Sequence, residues 1–228
     1  AVYGNGTDID DDISAFISNP MEHAEASKIA LFSIADYAWN MDAYKSDASW
    51  RRAVRYLMPG HAAALQVFAS HNSDLGGNEH DFRREESEQI RPALERLLDA
   101  YCREGKREVA AASAVTEECE RMIASADLLL ASDENPALIK EISPWLIQFK
   151  LLGEYGREVL CMLAAQCDGK KTELEKAASH AKALQVLMKK IDATYNQNGF
   201  QPGVKTGSCH LKPAFDRLYQ EVVQRTGK

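Results

Sequence analysis

The helical part of this chain opens with the stretch SNPMEHAEASKIALFSIADYAWN at residues 18–40. Asn19 is a residue type favoured at a helix N-cap, Pro20 is favoured at the first helical position, and Glu22 lies near where a capping box places its carboxylate. The apolar side chains that follow lie on or near one helical face, and the alanines between them allow close packing. The stretch therefore predicts a helix from about Asn19 to Trp39.

The rest of the chain reads as further helices joined by short breaks. Beyond residue 40, helices are predicted over residues 48–58, 61–71, 84–105, 116–131, 133–166, 173–195 and 212–225. Ser143 and Pro144 are expected to break the long segment 133–166 into a pair of helices. Pro92 either kinks the segment 84–105 or marks its true first turn. A strand end, a loop or a short helix would all fit the first 18 residues. The chain is therefore predicted to be a mainly α helical bundle.

Composition and charge exclude several classes of function. The chain has 228 residues and a formal net charge of -7, with a pI near 5.4. This acidic balance argues against binding to nucleic acid or to an anionic membrane surface, since both attract basic patches. No apolar run reaches the roughly 18–20 residues of a membrane-spanning helix, so membrane insertion is not expected. The chain begins with neither methionine nor a signal peptide, and we expect a mature or excised piece of a longer protein.

Cysteine and tryptophan side chains are expected mainly in the core. The cysteines are odd in number and contain no Cys-x-x-Cys pair, so reduced, mostly buried thiols are expected, with a disulfide or zinc site as the alternative. The cysteines are Cys102, Cys119, Cys161, Cys167 and Cys209. Each tryptophan lies within an apolar helical pattern and is also predicted to be a core residue. The tryptophans are Trp39, Trp50 and Trp145.

The sequence predicts no cofactor and no metal ion. No histidine follows a glutamate at the three-residue spacing of di-iron bundles, and a His-Glu-x-x-His motif and a Gly-rich phosphate loop are absent. His71, Asp74 and His80 could form a metal-binding loop. The alternative is a hydrogen-bonded structural loop, because the charged residues 83–86 beside it supply ion-pair partners.

An acidic cluster near the start of the chain allows two interpretations. The cluster consists of Asp8, Asp10, Asp11 and Asp12. Paired carboxylates perform acid–base chemistry in glycosidases, so an active site is one interpretation. The other is a solvated loop that caps a helix, because nothing nearby in the sequence would raise a carboxylate pKa as the acid partner requires. Periodicity and spacing alone therefore predict a helical domain without indicating its role.

Longer stretches of the sequence resemble a known family. Besides residues 18–40, they are HNSDLG at 71–76, RREES at 83–87, EISPWLIQFK at 141–150 and NGFQPGVK at 198–205. In content and order they are similar to the end of the catalytic barrel and the post-catalytic helical domain of glycoside hydrolase family 84. These enzymes are bacterial β-N-acetylglucosaminidases, also known as O-GlcNAcases or hyaluronidases. The resemblance implies the last strand–helix unit of a (β/α)₈ barrel at residues 1–40 and a post-catalytic helical bundle at residues 41–228.

The resemblance also implies a reaction for the parent protein. Family members remove terminal β-linked N-acetylglucosamine with retention, and the substrate's own acetamido group acts as the nucleophile. An Asp-Asp pair assists, and it lies far upstream of the Asn-Pro motif that matches Asn19 and Pro20. Asp10, Asp11 and Asp12 lie only a few residues before that motif, so they receive no catalytic role. The chain by itself is therefore expected to be inactive, with a glycan or glycoprotein carrying N-acetylglucosamine as the partner of the complete enzyme.

Three residues are candidates for contact with that substrate. The family asparagine that matches Asn19 hydrogen-bonds sugar hydroxyls, and an amide can both donate to and accept from a hydroxyl. A plain N-cap is the alternative role for Asn19, and both roles could hold. Phe82 or His80, in the predicted loop 72–82, could cover the aglycone side of the cleft, with local packing as the alternative.

A rival interpretation needs no catalysis. The chain could be a helical interaction module that mediates docking or forms a homodimer, as related enzymes can use their helical domains. Family members of this type are usually secreted or surface enzymes of glycan-degrading bacteria. A secreted, surface or periplasmic location is therefore expected.

Overall fold

A computed structural model describes residues 6, 8, 14–73, 85–195 and 203–227. These residues form eight α-helices and no strand, which confirms the mainly α prediction. The helices are α1 Ala24–Trp39, α2 Ser46–Leu57, α3 Ala62–Ser70, α4 Arg91–Glu104, α5 Val109–Leu130, α6 Pro136–Cys167, α7 Lys171–Tyr195 and α8 Leu211–Thr226. The strand of the barrel remnant stays a prediction, because residues 1–5 lie outside the described part.

The long helix α6 is the centre of the fold. α5 and α7 pack along it, and α1 and α8 also contact it. Its fully buried side chains recur every three or four residues, as the helical period requires when one face lies in the core. They include Leu146, Phe149, Leu152, Tyr155, Val159 and Leu163. Each such side chain stabilises the fold by about 1.5–3 kcal/mol through burial. Among the described helices, none has the length and apolar composition needed to cross a bilayer.

Residues 133–166 do not form the predicted pair of helices. α6 continues through Pro144 without a break. A proline at this position leaves the carbonyl of Lys140, four residues earlier, without its usual N–H donor. The Ser143 hydroxyl donates a hydrogen bond to that carbonyl at 3.2 Å. The predicted break is wrong because Ser143 satisfies the group that Pro144 leaves open, and because the helix is buried among its neighbours on both sides of the proline.

Helix α1 begins later than predicted. Its N-cap residue is His23 rather than Asn19, and the His23 side chain makes no capping hydrogen bond. The carboxylate of Glu141 on α6 accepts hydrogen bonds from the backbone N–H groups of Glu25 and Ala26, at 3.1 and 2.8 Å. These are the amides that an N-cap side chain would otherwise satisfy. A residue more than a hundred positions away thus determines where α1 starts.

Two other helix starts also differ. α4 begins at Arg91 with Pro92 in its first turn, so the interpretation of Pro92 as a helix start is correct and the kink is not. α5 begins at Val109, seven residues before the predicted start, and the Glu108 side chain caps it by accepting from the Ala111 N–H. The alanines that follow are strong helix formers and extend the helix toward its N-terminus.

The expectation of buried cysteines and tryptophans is only partly correct. All five cysteines are free thiols, but only Cys119 is fully buried, and Cys161 and Cys167 are exposed. Trp50 lies in the core, and Trp145 is half-buried against it. Trp39, the last residue of α1, is 89% exposed. The prediction fails for Trp39 because no described element covers the C-terminal end of α1.

Candidate functional site

The predicted substrate contacts lie at two places in the chain. Asn19 is exposed in the segment that precedes α1. It is not the N-cap of α1, so its amide is free for another role. Asp74, His80 and Phe82 lie outside the described residues, as do Asp10, Asp11 and Asp12. The predicted roles of these residues therefore stay predictions. Asp8, the first residue of the acidic cluster, is described and is exposed.

A buried polar cluster surrounds His71, the first residue of the predicted metal loop. His71 Nδ1 lies 2.7 Å from Ser87 Oγ, and His71 Nε2 lies 2.7 Å from Glu118 Oε1. Arg121 pairs with the second oxygen of Glu118. The described residues contain no group of three or more metal-ligating side chains suited to an ion. Both ring nitrogens of His71 lie at hydrogen-bond distance from their partners, and the cluster joins the end of α3, the turn before α4 and the middle of α5.

Electrostatics in this cluster favour an ionised Glu118. Burial opposes ionisation of the carboxyl. The hydrogen bond and charge of His71, together with Arg121, outweigh burial and hold the pKa of Glu118 below its usual value. The favourable interaction is therefore with the charged form.

Glu86 forms a second buried anchor beside the first. Its side chain is fully buried, and its carboxylate accepts hydrogen bonds from the backbone N–H groups of Cys209, His210 and Leu211 at 2.8, 3.0 and 3.2 Å. These amides lie at the N-terminus of α8, where an anion is favoured by the helix dipole. Glu86 thus attaches the last helix to the turn before α4.

Removing the Glu86 carboxylate is expected to loosen α8. Glu86→Ala would leave three backbone donors without their acceptor, and we expect a loss of about 2–3 kcal/mol in the free energy of unfolding. Hydrogen exchange at the amides of residues 209–211 should accelerate. Glu88→Ala, at an exposed position two residues on, is the matched control and should leave exchange there unchanged. Equal behaviour of the two variants would contradict the anchoring role.

The His71 cluster has the composition of a hydrolytic triad but not its accessibility. Ser87 and His71 are each about 2% exposed, which leaves no room for a substrate at the Ser87 hydroxyl. Ser87 has a φ of 58°, a left-handed conformation that its position in the tight turn before α4 requires. The cluster therefore serves to hold the fold together. Sequence reasoning missed Glu86 and Glu118 because their partners are distant in the chain.

A cavity of about 550 Å³ lies between α6, α7 and α8. In its wall the Tyr155 hydroxyl donates to Asp216 Oδ1 at 3.0 Å and accepts from Gln185 Nε2 at 2.7 Å. Burial and the Asp216 charge raise the pKa of Tyr155 above its usual value, so the phenol stays protonated. Gln148 Nε2 donates to the backbone carbonyls of Met188 and Val204 at 3.2 and 3.3 Å. These bonds hold the cavity walls together.

Comparison with known proteins identifies the family. Residues 86–219 match the family model described as "Bacterial GH84, post-catalytic domain". The chain belongs to this family. Residues 1–70 match a second model, described as "beta-N-acetylglucosaminidase". Glu86, Ser87 and Glu118 all lie within the GH84 match, so the buried anchors are part of the post-catalytic domain.

Solved structures agree with the family assignment. The structure of CpGH84B superposes with a TM-score of 0.81 at 21% identity and covers 95% of this chain and 35% of its own. The structure of CpGH84D gives a TM-score of 0.75 at 27% identity and covers 90% of this chain and 34% of its own. The chain therefore spans about a third of the length of these GH84 proteins.

Several large apolar side chains of this GH84 chain are exposed around α1. Ile17 is 98% exposed, Met21 is 57% exposed, and Trp39 stands out at the other end of the helix. All three lie within the β-N-acetylglucosaminidase match. Exposed apolar side chains of this size are a kind of surface that another domain of a longer protein can cover.

Proposed function

We propose that this chain is the C-terminal portion of a GH84 β-N-acetylglucosaminidase, in which the helical domain supports the catalytic barrel. The observation that carries the proposal is the order of the two matches, with a β-N-acetylglucosaminidase match at residues 1–70 and the post-catalytic domain at residues 86–219. The exposed Ile17, Met21 and Trp39 support it, since the barrel of the longer protein would cover them.

The proposed reaction removes terminal β-linked N-acetylglucosamine from a glycan or glycoprotein with retention of configuration. The acetamido oxygen of the substrate attacks the anomeric carbon while the glycosidic oxygen leaves with a proton from one carboxyl of an assisting pair, and the other carboxylate orients the acetamido group. Water then opens the cyclic intermediate and releases the sugar, and the pair belongs to barrel strands that precede this chain. Neighbouring-group attack is fast because the nucleophile is already held in place. Asn19 is proposed to hydrogen-bond the sugar hydroxyls, and its exposed amide supports this role. The predicted boundary between barrel and helical domain at residues 40 and 41 and the secreted or surface location are part of the same proposal.

Turnover of 4-nitrophenyl N-acetyl-β-glucosaminide tests the proposal. The chain alone should show no hydrolysis, whereas the longer protein should be active. Asn19→Ala in the longer protein should lower kcat/KM about tenfold, because it removes hydrogen bonds to the sugar. Ser18→Ala, at the exposed neighbouring position, is the matched control. Hydrolysis by the chain alone that Asp11→Asn abolishes would overturn the proposal.

A helical interaction module remains the second candidate function. Val186 and Leu187 on α7 are 60% and 48% exposed, and this exposed apolar surface is where a second copy would pack. Light scattering on a sizing column tests this function. A dimer that Val186→Asp dissociates would support it, and a monomer at high concentration would contradict it.

A further inference from the structure

The start of α1 is attached to α6 by several contacts. Glu141 accepts the hydrogen bonds from Glu25 and Ala26 described above. The His23 ring packs edge-on against the Trp145 ring, with centroids 5.0 Å apart and an interplanar angle of 74°. Glu141 and Trp145 are four residues apart, so they lie on one face of α6, one turn apart. The first turn of α1 is therefore bound to α6 by the side chains of Glu141 and Trp145.

A further hydrogen bond connects α1 to the segment that contains Asn19. The buried Ser27 hydroxyl donates to the carbonyl of Met21 at 3.2 Å, which ties the residues before α1 to its first turn. Asn19 precedes Met21 by two residues, a span of at most about 7 Å. The Asn19 backbone is therefore held close to the first turn of α1, which Glu141 and Trp145 contact.

Charge explains why an acidic side chain occupies position 141. An anion at a helix N-terminus is stabilised by the dipole and by the free N–H groups. His23 at the N-cap supplies no such capping group. Loss of Glu141 would therefore leave the first turn of α1 with unsatisfied donors and free to unwind.

We infer that Glu141 and Trp145 of the post-catalytic helical domain are positioning residues, which hold the segment before α1 so that Asn19 meets the sugar. The inference rests on the proposed function. It assigns the helical domain a part in substrate binding beyond support of the barrel. Sugar-binding groups act well only when held close to their productive geometry, and an error of about 1 Å can cost far more than one hydrogen bond.

Kinetics of the longer enzyme on 4-nitrophenyl N-acetyl-β-glucosaminide test the inference. Glu141→Ala should lower kcat/KM about tenfold, mainly through KM. Glu141→Gln keeps an oxygen that accepts one of the two N–H groups and should recover most of the loss. The double variant Asn19→Ala with Glu141→Ala should be no worse than Asn19→Ala, because Glu141 acts through Asn19. Glu158→Ala is the matched control, since Glu158 is also on α6 but pairs with His180 of α7.

The outcomes separate this inference from the function on which it rests. If Asn19→Ala leaves kcat/KM unchanged, the proposed sugar contact fails and the inference fails with it. If Asn19→Ala lowers kcat/KM but the Glu141→Ala effect is absent or simply adds to it, only the inference fails. If Glu141→Ala does not fold, Trp145→Leu removes the second contact and is compared in the same way. Hydrogen exchange at the Glu25 and Ala26 amides should accelerate in Glu141→Ala and not in Glu158→Ala.

Discussion

Gly156→Ala should lower the free energy of unfolding by about 3 kcal/mol, at the upper end of the cost of overpacking a core. A Cβ atom at position 156 would lie 2.4 and 2.5 Å from two ring carbons of Phe215, and 2.8 Å from the Cys119 sulfur. Both neighbours are fully buried, so neither can move into solvent. The sign of the change in unfolding free energy is informative, because replacing glycine by alanine in an uncrowded helix stabilises a protein by about 0.5–1 kcal/mol.

Urea denaturation followed by circular dichroism measures this effect, and the midpoint should fall while the slope stays the same. Gly227→Ala is the control, because the nearest atom to a Cβ there is 3.8 Å away. Adding Phe215→Leu to Gly156→Ala removes ring atoms from the clash, so the two changes together should cost less than their sum. A stabilised Gly156→Ala protein would mean that α6 and α8 do not approach as closely as described.

His71→Ala should cost about 3 kcal/mol, because it removes the hydrogen-bond partner of a buried carboxylate and of a buried hydroxyl. The variant leaves the Glu118 carboxylate and the Ser87 hydroxyl in the core without their shared partner. Thermal and urea unfolding measure the loss. His180→Ala is the control, because the His180 side chain is 53% exposed and its removal should change stability by less than about 0.5 kcal/mol. Similar stability of the two variants would exclude a structural role for His71.

The same cluster predicts a pH dependence. The pKa of Glu118 is lowered in the folded protein, so its ionised form favours folding. This contribution is complete above the ordinary glutamate pKa of 4.5 and is lost as the pH falls through the lower folded value. Glu118→Gln removes the contribution, so the stability difference from the natural protein should shrink in acid. A difference that stays constant from pH 7 to pH 3 would contradict this assignment.

The helices could be predicted from local sequence because helical periodicity is a local property. α7 and α8 lie within two residues of their predicted bounds, since apolar residues repeat along one face with few competing signals. Asn19 and Pro20 look like a helix start, but α1 begins at Ala24 because Glu141 supplies its cap. Pro144 looks like a helix break, but the Ser143 hydroxyl and the surrounding core keep α6 continuous. Both errors come from partners that a local pattern does not contain.

The residues discussed for the candidate site also fall into those that the sequence indicates and those that only the structure brings together. The sugar contact at Asn19 is a prediction from an Asn-Pro motif that resembles a family, and residues 1–70 and 86–219 match models of that kind. His71 and Glu118 are 47 residues apart, and Glu86 and Cys209 are 123 apart. Their hydrogen bonds follow from packing between helices, and no spacing rule would have brought them together.

The amino-acid sequence by itself determined the helical class of this protein and its family. Those properties follow from periodicity and from motifs that are continuous along the chain. Only the tertiary structure decided that Glu141 begins α1, that His71 is a buried hydrogen-bonding residue, and that Trp39 is exposed. The physical reason is that caps, buried ion pairs and exposure depend on what lies across from a side chain, and that neighbour comes from another part of the chain.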